Sequence, residues 1–132
     1  MLPTQEDIEE LLVQKFTDKQ IAQIYNVNFQ KISALIKIYG IEANILRKTD
    51  KFIVYEHIHN CKIIYVGSGY WYRCRKYTNR RNSIHRQLMA SEKVEYRIVG
   101  EYGTRDEARK VEIELIQKYK KIGQAFFNIQ TR

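Results

Sequence analysis

Two tyrosines, Tyr55 and Tyr65, lie ten residues apart in short segments rich in β-branched and aromatic residues. A phenol can orient a water molecule, or accept its proton when a nearby cation lowers the pKa of the phenol. On adjacent strands this spacing can put both hydroxyls on one face of a sheet. The pair is therefore a candidate for handling a water nucleophile. The alternative is that both rings pack a core, as tyrosines in strands usually do.

Glu112 is a third candidate, because it lies within or beside an apolar stripe on the longest predicted helix. The stripe consists of Ala108, Val111, Leu115 and Tyr119, at helical spacings of three and four. A carboxylate at the edge of a core is costly unless it is paired or binds a cation. The residues alone leave two alternatives open: a bound metal ion, or a salt bridge to a nearby arginine.

The positive charge of the chain is concentrated around these candidates. The net charge is +8, from 23 basic and 15 acidic side chains. Residues 1–50 carry six basic and seven acidic side chains, whereas residues 51–132 carry 17 and eight, a net +9. This distribution predicts a polyanionic partner, most simply nucleic acid. A basic surface that only aids solubility is the alternative.

A small α/β unit is needed to bring the tyrosines and Glu112 together. A hairpin is predicted from Phe52–Ile58 and Lys62–Gly67, which are joined by a short polar turn. A basic helical segment follows, and Val94–Val99 has the composition of a third strand. A capping box that begins at Thr104 then starts a helix that continues to about Lys121.

The first 42 residues are predicted to be helical. Thr4 can cap a first helix, and Thr17 starts a second with a capping box that has Gln20 at its third position. Asn28 caps a third helix, which ends at Gly40. The run from Thr17 to Gly40 looks like a helix-turn-helix. A three-helix bundle used for protein contacts is the alternative, since this part of the chain is nearly neutral.

On the helix-turn-helix interpretation, exposed side chains of the third helix would contact DNA. Gln30 and Ser33 are chemically able to read base edges. Lys31 and Lys37 would meet phosphates, which position a protein on DNA without reading its sequence.

Other classes of protein are disfavoured by the composition. Cys61 and Cys74 are too few for a disulfide framework or a tetrahedral zinc site, and we expect reduced thiols. No apolar run approaches the ~20 residues needed to cross a bilayer. The N-terminus has acids where a signal peptide needs bases. We therefore expect a soluble cytoplasmic protein with no membrane partner.

Over about residues 52–129 the chain resembles the GIY-YIG nuclease family. Tyr65-Val66-Gly67 matches the family's second motif, and Ile53-Val54-Tyr55 stands at the first motif, without its glycine. Further family positions fall in order on Arg73, Tyr77, Glu112 and Asn128. Arg75 also has a suitable spacing for the family's arginine. We prefer Arg73, because Gly67-Ser68-Gly69-x-x-x-Arg73 is similar to the glycine-rich subgroup.

The resemblance implies metal-dependent hydrolysis of a DNA phosphodiester. Glu112 would hold Mg²⁺, or another divalent cation such as Mn²⁺, against a phosphate oxygen. Tyr55 or Tyr65 would position or deprotonate the water, and Arg73 would neutralise charge that develops on the phosphate. The resemblance also gives Tyr77 and Asn128 places in the catalytic site, Asn128 by fixing its hydrogen bonds. Six further side chains would contact the DNA along its backbone: Arg75, Lys76, Arg80, Arg81, His85 and Arg86.

We therefore expect an α+β protein with an N-terminal three-helix helix-turn-helix module (residues 1–42), a linker (43–51) and a GIY-YIG-type small mixed β-sheet flanked by helices (52–132). This organisation predicts a site-selective endonuclease of double-stranded DNA from a phage, mobile element or restriction system. One active site cuts one strand, so a homodimer on DNA is one route to a double-strand break. Two alternatives stay open: a structure-specific or repair nuclease recruited by a partner protein, and a catalytically inactive DNA-binding regulator.

Overall fold

Residues 1–76 and 81–128 are described by the computed structural model. Within these ranges the chain forms six α-helices and three β-strands, so that the protein is α+β as predicted. The chain separates into two units, Met1–Thr49 and Asp50–Arg132. No helix in the described ranges is long and apolar enough to cross a membrane.

The first unit consists of four helices: α1 (Gln5–Val13), α2 (Asp18–Tyr25), α3 (Phe29–Ile38) and α4 (Ala43–Arg47). The starts of α1 and α2 follow the capping residues Thr4 and Thr17, each of which completes a capping box. Asn28 caps α3 with its side-chain oxygen. Asn26 takes a left-handed conformation (φ 54°) and so makes the tight turn between α2 and α3. The core between the helices is apolar: Ile8, Leu12, Ile21, Ala22, Ile32 and Leu35.

Helix α4 corrects the predicted linker over residues 43–51, because its five residues belong to the first unit. Arg47 is only 7% exposed. Its guanidinium donates to Asp18 Oδ1 at 2.6 Å and to the carbonyl oxygen of Phe16 at 3.0 Å. The Lys15 ammonium in turn donates to the carbonyl oxygen of Arg47. These contacts, each to a residue about thirty positions away in the sequence, hold α4 in place.

The second unit is built on β1 (Phe52–His59), β2 (Lys62–Tyr70) and β3 (Glu95–Tyr102), in the order β2-β1-β3. Both outer strands run antiparallel to β1, so the prediction of a mixed sheet is wrong. Asn60 and Cys61 join β1 to β2 with positive φ values of 50° and 63°. A two-residue loop of this conformation makes a tight antiparallel hairpin. β3 then pairs with the other edge of β1. It runs in the same direction as β2, but β1 lies between them, so the three described strands have only antiparallel neighbours.

The two faces of the sheet are covered by different helices. One face packs on α6 (Arg105–Lys121) through Val54, Val66, Ala108 and Ile116. The opposite face carries Ile53 and Tyr55, which pack on Cys74 of a 3₁₀ helix over Trp71–Arg75. Ile64, near the end of β2 that follows the hairpin turn, contacts Met89 of α5 (Ser83–Ala90).

Residues 124–128 lie along the outer edge of β2. The backbone N–H groups of Ala125 and Phe127 donate to the carbonyl oxygens of Ile63 and Ile64, at 2.7 and 3.0 Å. The Asn128 amide accepts from the N–H of Val66 at 2.9 Å and donates to its carbonyl oxygen at 2.8 Å. Beyond Val66 the edge of β2 borders a cleft.

Candidate active site

A cleft of about 870 Å³ lies in the second unit. It borders the later half of β2, and its walls come from the 3₁₀ helix, α5, α6 and the segment that ends at Asn128. Several predicted site residues line it together: Tyr65, Arg73, Lys76, Arg81, His85, Glu112 and Asn128. Tyr55 is buried and does not line the cleft. Tyr77 and Arg80 fall outside the described residues.

Glu112 enters the cleft from the middle of α6 and is half-buried. Ser68 Oγ, on β2, donates a hydrogen bond to Glu112 Oε1 at 2.8 Å. Among residues 1–76 and 81–128, no arginine or lysine pairs with this carboxylate. The salt-bridge alternative therefore has no partner in the described part of the chain, and the carboxylate faces the cleft beside a serine hydroxyl.

The donor set at Glu112 fits a hard divalent cation held mainly by water and substrate. A carboxylate and a hydroxyl are oxygen ligands of the type that Mg²⁺ accepts. Within the described residues there is no cluster of three or more His, Cys, Asp or Glu side chains that could cage a metal ion. Mg²⁺ usually keeps several waters and uses one or two carboxylates with phosphate oxygens, so a cage is unnecessary.

Tyr55 and Tyr65 share one face of the sheet, but their environments differ. Their ring centroids are 6.3 Å apart. Tyr55 is 1% exposed, and burial, with Tyr65 adding to the effect, raises the pKa of its phenol to about 12. Tyr65 is half-buried and lines the cleft. Of the two candidates that the sequence left open, Tyr65 is therefore the one that can touch a substrate directly.

Gly67 leaves room for the buried ring of Tyr55. It faces Tyr55 across the β1–β2 ladder. A Cβ on Gly67 would lie 2.4 Å from both Cζ and the hydroxyl of Tyr55, far inside van der Waals contact. Tyr55 thus packs directly against Gly67, and any larger residue at position 67 would displace the tyrosine ring.

Arg73 and Arg75 point to different surroundings. Arg73 is exposed and lines the cleft, and its Cγ would be 3.2 Å from a Cβ on Gly69. Arg75 instead lies over the ring of Tyr96, with Cζ 4.6 Å from the ring centroid, and burial lowers the pKa of its guanidinium. Arg75 and Arg86 are not among the cleft-lining residues.

Arg81 braces the wall of the cleft. Its Nε donates to the carbonyl oxygen of Lys76 at 3.1 Å, and its Nη2 lies 3.4 Å from that of Arg73. The guanidinium also lies over the ring of Tyr65, 4.8 Å from the centroid. A side chain predicted to follow the DNA backbone is therefore tied to the protein on two sides, and it holds the 3₁₀ segment against Tyr65.

His85 was predicted to contact DNA, but it is only 1% exposed and forms part of a buried pair. Its Nε2 lies 2.8 Å from Nδ1 of His57, whose own Nε2 lies 2.6 Å from the carbonyl oxygen of Cys74. Phe127 stacks on the His85 ring at 4.8 Å. Sequence reasoning missed this pair, and only the position of His57 on the same strand face as Tyr55 hinted at it.

Two further groups were also missed. Arg109 and Arg105, one and two turns before Glu112 on α6, line the cleft and add positive charge. Glu56 is a buried carboxylate on the sheet face that α6 covers, where Arg97 pairs with it and Tyr119 of α6 donates to Oε2 at 2.6 Å. Helical periodicity from Glu112 could have found the arginines. Glu56 is already satisfied by its partners and lies away from the cleft.

In the first unit, the side chains predicted to contact DNA differ in their exposure and in their hydrogen bonds within the unit. Gln30, Lys31 and Lys37 are exposed on α3. The Ser33 hydroxyl is half-buried and lies 2.8 Å from Asp18 Oδ2 and 3.2 Å from the carbonyl oxygen of Phe29. Its single proton is therefore engaged within the unit, which leaves Ser33 less able to donate to a base edge.

Comparison of the chain with protein-family models, with curated proteins and with solved structures finds no match.

Proposed function

We propose that the protein is a metal-dependent DNA endonuclease of the GIY-YIG type. The observation that carries this proposal is the meeting of Tyr65, Arg73 and Glu112 in one basic cleft. These side chains come from a strand, a 3₁₀ helix and a distant α-helix. A phenol, a guanidinium and a carboxylate that converge in a cleft can handle water, phosphate and a cation, respectively.

The chemistry divides among these side chains. Glu112, oriented by Ser68, would hold Mg²⁺ or Mn²⁺ with one carboxylate oxygen facing the cleft. Such a cation, when bound, would polarise the phosphate and stabilise the leaving oxygen. Tyr65 would position the attacking water and accept its hydrogen bond. Arg73, exposed in the wall, would meet the charge that develops on the phosphate oxygens, for which a fork of donors is well suited.

Other side chains would support the site without touching the reacting atoms. Asn128 fixes the backbone at Val66, directly after Tyr65, with two hydrogen bonds. Tyr55 and Gly67 pack against each other across the β1–β2 ladder and so support the strand that carries Tyr65. Lys76, Arg105 and Arg109 would attract the DNA backbone to the cleft. The dominance of basic side chains in this unit, a net +9 over residues 51–132, favours the same substrate.

The first unit would select where the cleft acts. As a helix-turn-helix, it would place α3 in the major groove of double-stranded DNA, with Gln30 at a base edge and Lys31 and Lys37 at phosphates. A homodimer on DNA would then allow both strands to be cut.

A second candidate role for the first unit is recruitment by a partner protein. The observation that favours it is apolar exposure: Phe29 and Ile38 of α3 are 43% and 75% exposed, and Ile24 of α2 is 54% exposed. Exposed apolar side chains of this size are more typical of protein contacts than of a DNA-reading helix.

The proposal is tested with supercoiled plasmid and the full chain, in Mg²⁺ and in EDTA. We expect Mg²⁺-dependent nicking or linearisation, which Glu112→Gln abolishes while DNA binding survives. Glu114→Gln is the matched control, because Glu114 is exposed on the same helix and does not line the cleft. Cleavage by Glu112→Gln at the wild-type rate would overturn the assignment.

A further inference from the structure

Four aromatic side chains form a surface patch at the end of β2, which we call the aromatic platform: Phe52, Tyr70, Trp71 and Tyr72. Tyr70 and Tyr72 are nearly parallel, with an interplanar angle of 12° and ring centroids 6.0 Å apart. Trp71 meets Tyr72 edge-on at 5.7 Å, and Phe52 lies 5.4 Å from Tyr70. The rings therefore contact one another in a continuous group.

Two cations lie over the platform. The Arg105 guanidinium is 5.2 Å from the centroid of Tyr70 and 5.8 Å from that of Phe52. The Lys76 ammonium is 5.4 Å from the centroid of Tyr72. Tyr70, Lys76 and Arg105 also line the cleft, so the platform forms its rim.

The core explains only part of the platform, since Phe52 packs against the cluster that contains Val54 and Val66. Tyr70, Trp71 and Tyr72 belong to none of the four hydrophobic clusters among the described residues. Tyr70 is 44% exposed, and Trp71 and Tyr72 are partly exposed. Exposed aromatic rings beside cations offer a surface on which a flat ligand can stack.

A nucleobase attached to a phosphate fits this combination. Aromatic rings stack on bases irrespective of sequence, while neighbouring Lys and Arg side chains meet the backbone. In an intact duplex each base is already stacked on its neighbours, and extracting one requires unstacking and unpairing. An unpaired base requires the least, so a platform of this kind favours DNA that is unpaired next to the cleft.

We propose that the aromatic platform stacks an unpaired nucleobase adjoining the phosphate in the cleft. The preferred substrate would then be DNA with an unpaired nucleotide beside the cut, such as an overhang, a flap or a bubble. This inference rests on the proposed nuclease function and specifies its substrate class. It assigns the platform to recognition, and the chemical step to the residues already described.

The test measures binding by the full chain carrying Glu112→Gln, so that DNA stays intact. Three DNAs are compared at one salt concentration: a blunt duplex, the same duplex with a four-nucleotide single-stranded extension, and the duplex with an abasic extension of equal length. The abasic extension supplies the same phosphates without bases. We expect the extension that carries bases to bind about tenfold more tightly than the abasic one, the scale of one base–aromatic stack.

Substitutions at Tyr70 separate stacking from shape. Tyr70→Leu should remove most of the preference for bases over abasic sites, whereas Tyr70→Phe, which keeps the ring, should retain it. Trp71 is the only tryptophan in the chain, so its fluorescence reports directly on the platform. We expect quenching by the extension that carries bases and little by the abasic one. Thermal unfolding shows that each variant is folded.

The inference is overturned if the two extensions bind equally, or if Tyr70→Leu keeps the preference for bases. This outcome differs from failure of the nuclease assignment, which is read from plasmid cleavage. Stacking without cleavage would leave the platform as a nucleic-acid site and remove the nuclease proposal. Cleavage without stacking would do the reverse.

Discussion

The hydrogen shared by the rings of His57 and His85 is carried by Nε2 of His85. The carbonyl oxygen of Cys74 only accepts, so Nε2 of His57 must be protonated. In a neutral imidazole the other nitrogen is then an acceptor, and Nδ1 of His57 accepts from His85. A backbone carbonyl thus fixes the tautomer of a ring in the cleft wall through one intermediate histidine.

This arrangement predicts loss of stability in mild acid. Burial, with Arg81 adding to the effect, lowers the pKa of His57 to about 3, and that of His85 to about 4. In the unfolded chain both would take up protons below about 6.5. The free energy of unfolding is therefore highest above pH 6.5. It falls as the pH drops towards 4, because the unfolded chain then binds protons that the folded chain does not. One proton corresponds to roughly 1.4 kcal/mol per pH unit.

Urea unfolding at pH 7.5, 6.0 and 5.0 measures this slope. His57→Gln should reduce the slope of unfolding free energy against pH by the amount that corresponds to about one proton, roughly 1.4 kcal/mol per pH unit. His59→Gln, at the end of the same strand and outside the pair, should keep the wild-type slope. Equal slopes for all three proteins would show that His57 does not contribute to the loss of stability in acid.

Arg73 and Arg75 should have separable effects on cleavage. Arg73 lines the cleft, so Arg73→Ala should reduce the cleavage rate by about 10³, the scale for loss of a transition-state charge contact. Arg75 lies on Tyr96, so Arg75→Ala should mainly affect stability and DNA binding. Single-turnover rates at saturating enzyme distinguish the two. The opposite ranking would show that Arg75 is the catalytic arginine.

Gly67→Ala should destabilise the protein by about 1–3 kcal/mol, because the new methyl group overlaps the Tyr55 ring. Gly103→Ala is the control, since a Cβ at Gly103 meets nothing within 4 Å. Combining Gly67→Ala with Tyr55→Leu should recover part of the loss in urea unfolding. Additive losses in the double variant would mean that the two residues do not press on each other.

The salt dependence of DNA binding should trace to the cleft. Each phosphate contact contributes roughly −0.9 to the slope of log K against log salt. Replacing both Arg105 and Arg109 by alanine should therefore reduce the slope by about 2. Lys118 and Lys121 lie on the same helix but outside the cleft, and their joint replacement is the control. An equal change from both pairs would indicate diffuse attraction by the whole surface.

The first unit is tested by competition between a preferred duplex and a scrambled one. Gln30→Ala should cost about 1–3 kcal/mol on the preferred site alone, whereas Lys31→Ala should weaken both alike. We expect Ser33→Ala to have little effect, because the Ser33 hydroxyl already binds Asp18. If none of these changes alters the ratio, partner recruitment becomes the better account of this unit.

Local signals in the sequence predicted much of the fold. Side chains at Thr4, Thr17, Asn28 and Thr104 cap helices where they were expected, because a cap acts within one turn of helix. The hairpin around Asn60 is equally local. Helix α4 was missed because the contacts that hold Arg47 come from residues about thirty positions earlier.

Choices within the candidate site depended on contacts that the sequence does not reveal. Spacing puts Tyr55 and Tyr65 on one face, but only the packing of the 3₁₀ helix buries the first and leaves the second in the cleft. The same helix separates Arg73 from Arg75 by its turn. The His57–His85 pair joins residues 28 positions apart, which no local pattern marks.

The hydrogen bonds between Asn128 and Val66 have a consequence for folding kinetics. The β1–β2 hairpin is closed by two residues and can form within microseconds. The segment that covers its outer edge lies 62 residues further along the chain, so closing that loop comes later. In the interval β2 presents an unpaired edge, which can recruit a strand from another molecule. Refolding yield should therefore fall as protein concentration rises, because aggregation competes with the docking of residues 124–128 on β2.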